Sequence, residues 1–347
     1  MEACKSLIAL FCAWKSEYLK MTSKRLLYLD SLRGFAILLV VVGHLIQYNY
    51  EDGLANPLFN IIYSFHMPFF FFLSGCSRSV YETIKGVRIR NIKENIKEII
   101  AKFAALIIPS VVWTIMVPNF FKREFSFHIA AISSYWFLNI LFVIYVVWSV
   151  VSLAYNKFSS KWPIVTVFVC VVLVCFSFNI YRIPLTYLCF FVLGYLWQHF
   201  SLSKRIPTLV ILLCTVLFLL LVGVYRYGES TAGDPNRVWL MIPLSLMASI
   251  VLHYMFSRGE LNYRCLEVLG KYSLGIYLCH YFLIRMPAVR HLQNSLPAIC
   301  ELLVLMLIAV VVSYVCVLIQ IIVKQNEWLN ALFYGNWKFL KRNESNS

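Results

Sequence analysis

With 347 residues, 61% of them hydrophobic and 16% aromatic, the chain lies far above the roughly 45–50% apolar content of a soluble globule, which excludes a water-soluble enzyme core. Its net charge of +15 would point a soluble protein toward nucleic acid. Here the basic residues fall between apolar runs and never interleave with base-stacking aromatics, so nucleic acid is not an expected partner. The apolar runs are continuous for about 15–20 residues, the signature of helical spans and not of β-barrel strands. The expected class is an all-α, polytopic transmembrane helix bundle in the lipid bilayer.

In chain order, about ten spans are expected: 32–50, 58–76, 99–117, 135–155, 163–179, 184–200, 207–225, 238–256, 269–287 and 297–323. Pro163, Pro184, Pro207 and Pro297 stand at span starts, where a first-turn proline loses no hydrogen bond. With the amino terminus inside, the inner segments hold 24 Lys and Arg and the outer ones 7. This asymmetry orients the bundle with both termini cytoplasmic. Residues 1–28 form an amino-terminal segment, read either as an interfacial helix or as a product of start-site choice ahead of Met21. Residues 29–323 form the transmembrane domain. Residues 324–347 form a tail whose Trp328, Leu329, Leu332, Phe333, Trp337 and Phe339 suit a helix on the inner leaflet. The eleven cysteines include no Cys-x-x-Cys and read as small buried hydrophobes, neither disulfides nor metal ligands.

Two histidines lie inside the first two spans, His44 and His66. Ionisable groups at membrane depth cost about 2.5–3.5 kcal/mol each and usually line a pathway or a site. Arg33 and His44 are eleven residues apart, which leaves roughly 20° of rotation and roughly 16 Å of rise between them on one helix face. Asp30 lies a turn before Arg33, and Gln47 continues the stripe. The second span returns from the outside, so His66 comes to a depth similar to that of His44. A continuous polar groove from Arg33 to His44 is expected.

Taken singly, each residue has a plainer reading. Arg33 suits a snorkelling anchor, Asp30 a helix cap, and His280 in the ninth span an interhelical hydrogen bond. Phe69 to Phe72 suit packing. The remaining histidines, 128, 199, 253 and 291, read as solvated. The joint pattern of an Asp/Arg/His stripe and a second histidine at matching depth favours a site.

Asp30-x-x-Arg33-Gly34 followed by His44, then Phe65-His66-Met67-Pro68-Phe69-Phe70-Phe71-Phe72-Leu73-Ser74-Gly75, resembles the acyltransferase 3 family of membrane O-acyltransferases. The Tyr63-to-Pro68 stretch is most similar to its fucose O-acetylase-like branch. Weaker matches follow at Lys102 with Leu106 to Pro109, at Trp136 to Leu138, at Phe190 to Gly194 and at Tyr272 to His280.

The resemblance implies ten spans and transfer of an acetyl or other small acyl group. The donor would be cytosolic acyl-CoA, used as a substrate and not a bound cofactor. The acceptor would be a hydroxyl of a cell-surface or lipid-linked glycan at a bacterial inner membrane. It assigns catalysis to His44 and His66, with Asp30, Arg33, Ser74, Arg78, Lys102, Trp136, Asn139, Tyr277 and His280 binding donor or acceptor, and no metal. Donor phosphates would meet Arg33, Arg78, Arg88, Arg90 and Lys102. Where relatives often carry an arginine four residues before Pro109, this chain has Ala105.

Attack of a hydroxyl on a thioester needs a general base, and histidine, with an ordinary pKa near 6.5, suits that task. His44 is the expected base, with His66, Asn139 or a backbone N–H near Pro68 as oxyanion donors. The rival class is a proton-coupled transporter or glycan translocase using the histidines and Arg33 as a relay. It finds little support, since neither histidine motif has a second copy in the later half.

Overall fold

The computed structural model describes residues 27–85, 92–122, 135–155, 183–225, 235–259, 263–293 and 295–337. Among them there are helices and no strands. The helices are α1 (Leu27–Asn49), α2 (Pro57–Tyr63), α3 (His66–Lys85), α4 (Ile92–Lys122), α5 (Trp136–Tyr155), α6 (Ile183–His199), α7 (Thr208–Val222) and α8 (Pro235–Ser257), continuing with α9 (Arg264–Lys271), α10 (Ser273–Cys279), α11 (Pro287–Arg290), α12 (Ala298–Val323) and α13 (Glu327–Tyr334). The expected span at 163–179 lies outside the described residues, as do the segment before Leu27 and Arg88, Arg90, His128 and Arg182.

Among the described residues, five apolar stretches are long enough to cross a membrane: Leu27–Asn49, Pro57–Ile84, Ile92–Met116, Trp239–Ser257 and Ala298–Val323. Two shorter apolar helices, Trp136–Val151 and Thr208–Val222, stand beside them. α1 is the axis of the bundle. It touches α3, α8, α9, α10 and α12, and most of its residues are buried. At the periphery, Leu212, Leu219 and Leu220 of α7 and Ile299, Leu303 and Leu307 of α12 turn outward. Apolar side chains facing outward on a span are what lipid contact requires.

Two of the expected spans are interrupted. The second breaks at Ser64-Phe65, between α2 and α3. Pro68 has no N–H to give the Ser64 carbonyl four residues back. Instead the fully buried Ser245 donates its Oγ–H to that carbonyl at 2.9 Å.

The ninth, expected as one helix over 269–287, is α9, α10, a 3-10 turn at His280–Phe282 and the short α11. Pro287 disfavours helical geometry in the residue before it, and Met286 is extended at φ −121°, ψ 100°. The Asn49 side-chain amide ties down this unwound stretch. It donates to the Ile284 carbonyl at 2.8 Å and accepts from the Met286 N–H at 2.9 Å.

Small residues permit the two closest crossings, as is usual where helices pack in lipid. Gly75 of α3 and Gly194 of α6 lie so near the facing backbones that a Cβ would stand 1.8 Å from the Phe191 carbonyl oxygen and 1.9 Å from that of Phe72. Gly34 of α1 and Gly270 of α9 are equally tight, against the Leu266 and Asp30 carbonyls. Ser74 and Gly75 are both mid-helix in α3.

The tail helix α13 docks on α4. Trp113 donates its indole N–H to the Phe333 carbonyl at 2.8 Å, and Trp337 donates to the Ala104 carbonyl at 3.1 Å. Gly335, at φ 67°, abuts the Ala105 backbone.

Gly75→Ala is expected to lower the melting temperature of the detergent-purified protein, since overpacking costs roughly 1–3 kcal/mol. Gly223→Ala, whose added carbon meets nothing nearer than 4.0 Å, is expected to leave it unchanged.

Candidate active site

The two helix breaks meet over one cavity of about 100 Å³, lined by His44, Tyr63, His66, Trp136, Tyr187, Tyr277 and Tyr281 with Val40, Met67, Pro68 and Met241. His44 comes from the continuous helix α1. His66 is the first residue of α3, immediately after the break at Ser64-Phe65, and His280 caps α10. Three histidines from three elements meet here: His280 bonds His44, and His66 lines the same cavity as His44.

Their hydrogen bonds assign the ring protons. A carbonyl oxygen only accepts, so the nitrogen facing one must carry hydrogen. His280 Nδ1 lies 3.0 Å from the Ile276 carbonyl and is therefore the protonated nitrogen. In the neutral ring, His280 Nε2 is then an acceptor, 3.3 Å from His44 Nδ1. His44 Nδ1 must carry its own proton, which leaves the lone pair on Nε2. The chain Ile276 carbonyl–His280–His44 thus sets His44 in the tautomer that a general base needs. His66 follows the same pattern, with Nδ1 2.9 Å from the Ile62 carbonyl.

Tyrosines pack around the imidazoles. The ring centroids of Tyr63 lie 4.4 Å from His66 and 6.5 Å from His44, while Tyr281 stands 5.0 Å from His44. Tyr135, from the start of α5, donates its hydroxyl to the Leu278 carbonyl at 2.8 Å and pins the end of α10.

Arg33 occupies the other end of α1. Its guanidinium bonds the Asp30 carboxylate at 2.8 Å and also reaches the Ser77 hydroxyl on α3. The expected polar groove to His44 is not continuous. Between them the same face of α1 carries Ile37 and Val40, both buried, because that face runs through the apolar interior of the bundle on its way to the cavity. Arg78 is buried between the carboxylates of Glu82, at 2.7 Å, and Glu98. Lys102 lies over the Tyr145 ring at 4.1 Å.

Of the other residues expected in the site, Trp136, Tyr277 and His280 are brought to the histidines. Ser74 bonds the Phe70 carbonyl within its own helix, and Asn139 accepts from Ser110, both away from the cavity. The Ala105 backbone lies against Gly335 of the tail, so close that a Cβ on Gly335 would stand 2.5 Å from it.

Among the remaining histidines, His199 and His291 are exposed as expected. His253 is not solvated but fully buried, accepting from the Trp197 indole N–H at 3.0 Å. α8 carries it between α1 and α6, where an imidazole is the acceptor that the tryptophan requires. Glu301 accepts from the Tyr50 hydroxyl at 2.7 Å inside the protein.

Tyr63, Tyr281 and Ser77 were not singled out from the sequence. Tyr63 was within reach, three residues before His66 and on its face. Among the described residues, no cluster of three His, Cys, Asp or Glu side chains is placed to hold a metal ion.

A bundle of apolar helices long enough to cross a membrane, with three histidines gathered beside breaks in two expected spans, has the features of a membrane protein with an internal polar cavity. Residues 26–318 match the family model described as an acyltransferase domain. The chain belongs to the acyltransferase 3 family and is a membrane acyltransferase, as the motifs at Arg33, His44 and His66 implied. It is similar to two relatives, each described as nodulation protein NolL. The one from Mesorhizobium japonicum is 26% identical over 300 residues, covering 74% of this chain and 76% of its own. The one from Sinorhizobium fredii is 26% identical over 186 residues, covering 49% and 48%. No solved structure matches.

His280→Leu removes the acceptor that fixes the His44 tautomer and is expected to lower kcat by about tenfold, the worth of one buried hydrogen bond. His280→Gln, which keeps an acceptor oxygen near that position, is expected to recover most of it. Steady-state acyl transfer by the two variants checks this.

Proposed function

We propose that the protein is an O-acetyltransferase of the cell membrane, transferring acetyl from cytosolic acetyl-CoA to a hydroxyl of a cell-surface or lipid-linked glycan. The observation that carries this reading is the hydrogen-bonded chain that leaves a basic nitrogen of His44 in an aromatic-lined intramembrane cavity. In this reading the bundle has about ten spans with both termini cytoplasmic, in a bacterial inner membrane, and the cavity lies nearer the outer face.

His44 Nε2 takes the proton of the acceptor hydroxyl as its oxygen attacks the thioester carbonyl carbon. The tetrahedral intermediate collapses with cleavage of the carbon–sulfur bond, and the departing thiolate receives the proton held by His44. The products are an acetyl ester and free coenzyme A. His280 positions His44 throughout. The oxyanion is met by the amino-terminal end of α3, the positive end of its dipole, together with the Trp136 indole N–H. The aromatic walls suit the apolar face of a sugar ring and exclude water from the thioester. Transfer is direct, without an acyl-His44 intermediate, and passage of the acyl arm requires α1 and α3 to part along Ile37 and Val40.

Membranes carrying the protein are expected to release free thiol from acetyl-CoA when acceptor glycan is supplied. His44→Ala is expected to reduce that rate on the order of 10²–10⁴-fold, the range of general-base catalysis, without loss of folded protein. Thiol release independent of His44 would refute the assignment. Transport of glycan or protons with no thioester consumed would favour the translocase reading. Direct transfer predicts no hydroxylamine-sensitive acetyl on His44 when enzyme is mixed with donor alone.

A further inference from the structure

A second cavity, of about 680 Å³, lies at the Arg33 end of α1, away from the histidines. Tyr28 and Gln198 form one wall, Ser257 and Arg258 at the end of α8 another, and Ser203 and Lys204 of a 3-10 turn the rim. Every side chain lining it is polar. Its volume falls within the roughly 300–1,000 Å³ of small-molecule sites.

The distribution of paired and unpaired cations singles it out. Arg33 is held by Asp30, and Arg78 by Glu82 and Glu98, so the positive charge expected to meet donor phosphates is largely neutralised at those two residues. Lys204 and Arg258 pair with no carboxylate among the described residues. Arg258 lies over the Tyr254 ring at 4.4 Å, which fixes its plane without using up its N–H donors.

The wall behind them is built firmly. The Tyr28 hydroxyl donates to Gln198 at 2.7 Å, and the Tyr28 ring packs edge-on to buried His253 at 5.4 Å. Tyr28 precedes Arg33 by five residues, or roughly 7.5 Å of helix rise. Gln198 is one turn past Gly194, whose carbonyl accepts from Cys76 beside Ser77. The cavity and the Arg33–Ser77 contact are therefore parts of one end of the bundle.

We propose that this cavity holds the phosphorylated nucleotide end of the acyl donor, with Lys204 and Arg258 meeting its phosphates and the seryl hydroxyls and Gln198 meeting its sugar and base. The assignment rests on the reading of acyl-CoA as donor. An open cavity with two cations that meet no carboxylate among the described residues, and with several neutral donors and acceptors, suits a nucleotide carrying more than one phosphate.

The test compares wild type with the Lys204→Gln/Arg258→Gln double variant and the charge-keeping Lys204→Arg/Arg258→Lys variant. Acetyl-CoA and acetyl-pantetheine serve as donors, and adenosine 3′,5′-bisphosphate as a binding probe. The double variant is expected to raise KM for acetyl-CoA about tenfold and to lose wild type's preference for acetyl-CoA over acetyl-pantetheine in kcat/KM. It should also lose affinity for the bisphosphate, while the charge-keeping variant retains all three. An unchanged KM and preference overturns the proposal. So does intact bisphosphate binding with weakened binding of a short-chain phosphatidylglycerol to the detergent-purified double variant, which would assign the cavity to a lipid headgroup. Bisphosphate binding that depends on both cations, in a protein that consumes no acetyl-CoA, would uphold the nucleotide site and refute the donor reading alone.

Discussion

In hydrocarbon there is no water to satisfy a backbone N–H or carbonyl that leaves a helix, so each one must find a partner within the protein. The architecture of the site follows from that constraint. Interrupting two spans frees carbonyls at Ser64, Leu278 and Ile284, and side chains from other helices capture all three: Ser245, Tyr135 and Asn49. The carbonyls of Ile62 and Ile276 take the Nδ1 protons of His66 and His280. The same bonds that make the breaks tolerable therefore choose which histidine nitrogens remain basic. Local structure and chemical readiness have one cause.

Charge is handled by the same logic. Burying a lone guanidinium is costly unless it is paired and hydrogen-bonded, and the two most enclosed arginines, Arg33 and Arg78, each sit against carboxylates. A paired arginine of this kind ties helices together: Arg33 joins α1 to α3, and Arg78 joins α3 to α4. Lys204 and Arg258, at the rim of the second cavity, are held by no carboxylate among the described residues.

Much of this was legible in the sequence. The apolar runs announced a helical membrane bundle, and helical spacing placed Asp30 beside Arg33 and both on the face of His44. The motif around His66, read with Trp136, Tyr277 and His280, assembled most of the cavity. What escaped was long-range pairing. Nothing local to His280 says that its Nε2 meets His44, 236 positions away, and nothing near Asn49 says that it will clamp residues 284–286. Arg78 and Lys102 looked like phosphate ligands because neither the carboxylate of Glu98 nor the Tyr145 ring can be assigned to them from sequence alone. His253 looked solvated because a position near a span end gives no sign of the Trp197 indole that needs it. Ile37 and Val40 were visible as apolar residues between Arg33 and His44, but that they would close the face was a matter of packing.

The glycine crossings have a mechanical consequence. Where α3 meets α6 at Gly75 and Gly194, and α1 meets α9 at Gly34 and Gly270, main chain rests on main chain, and no rotamer change can let such a pair slide or yield. These two couples behave as stiff struts. At Ile37 and Val40 the face between Arg33 and His44 is closed by side chains alone, a contact that rotamer changes can loosen where the glycine crossings cannot.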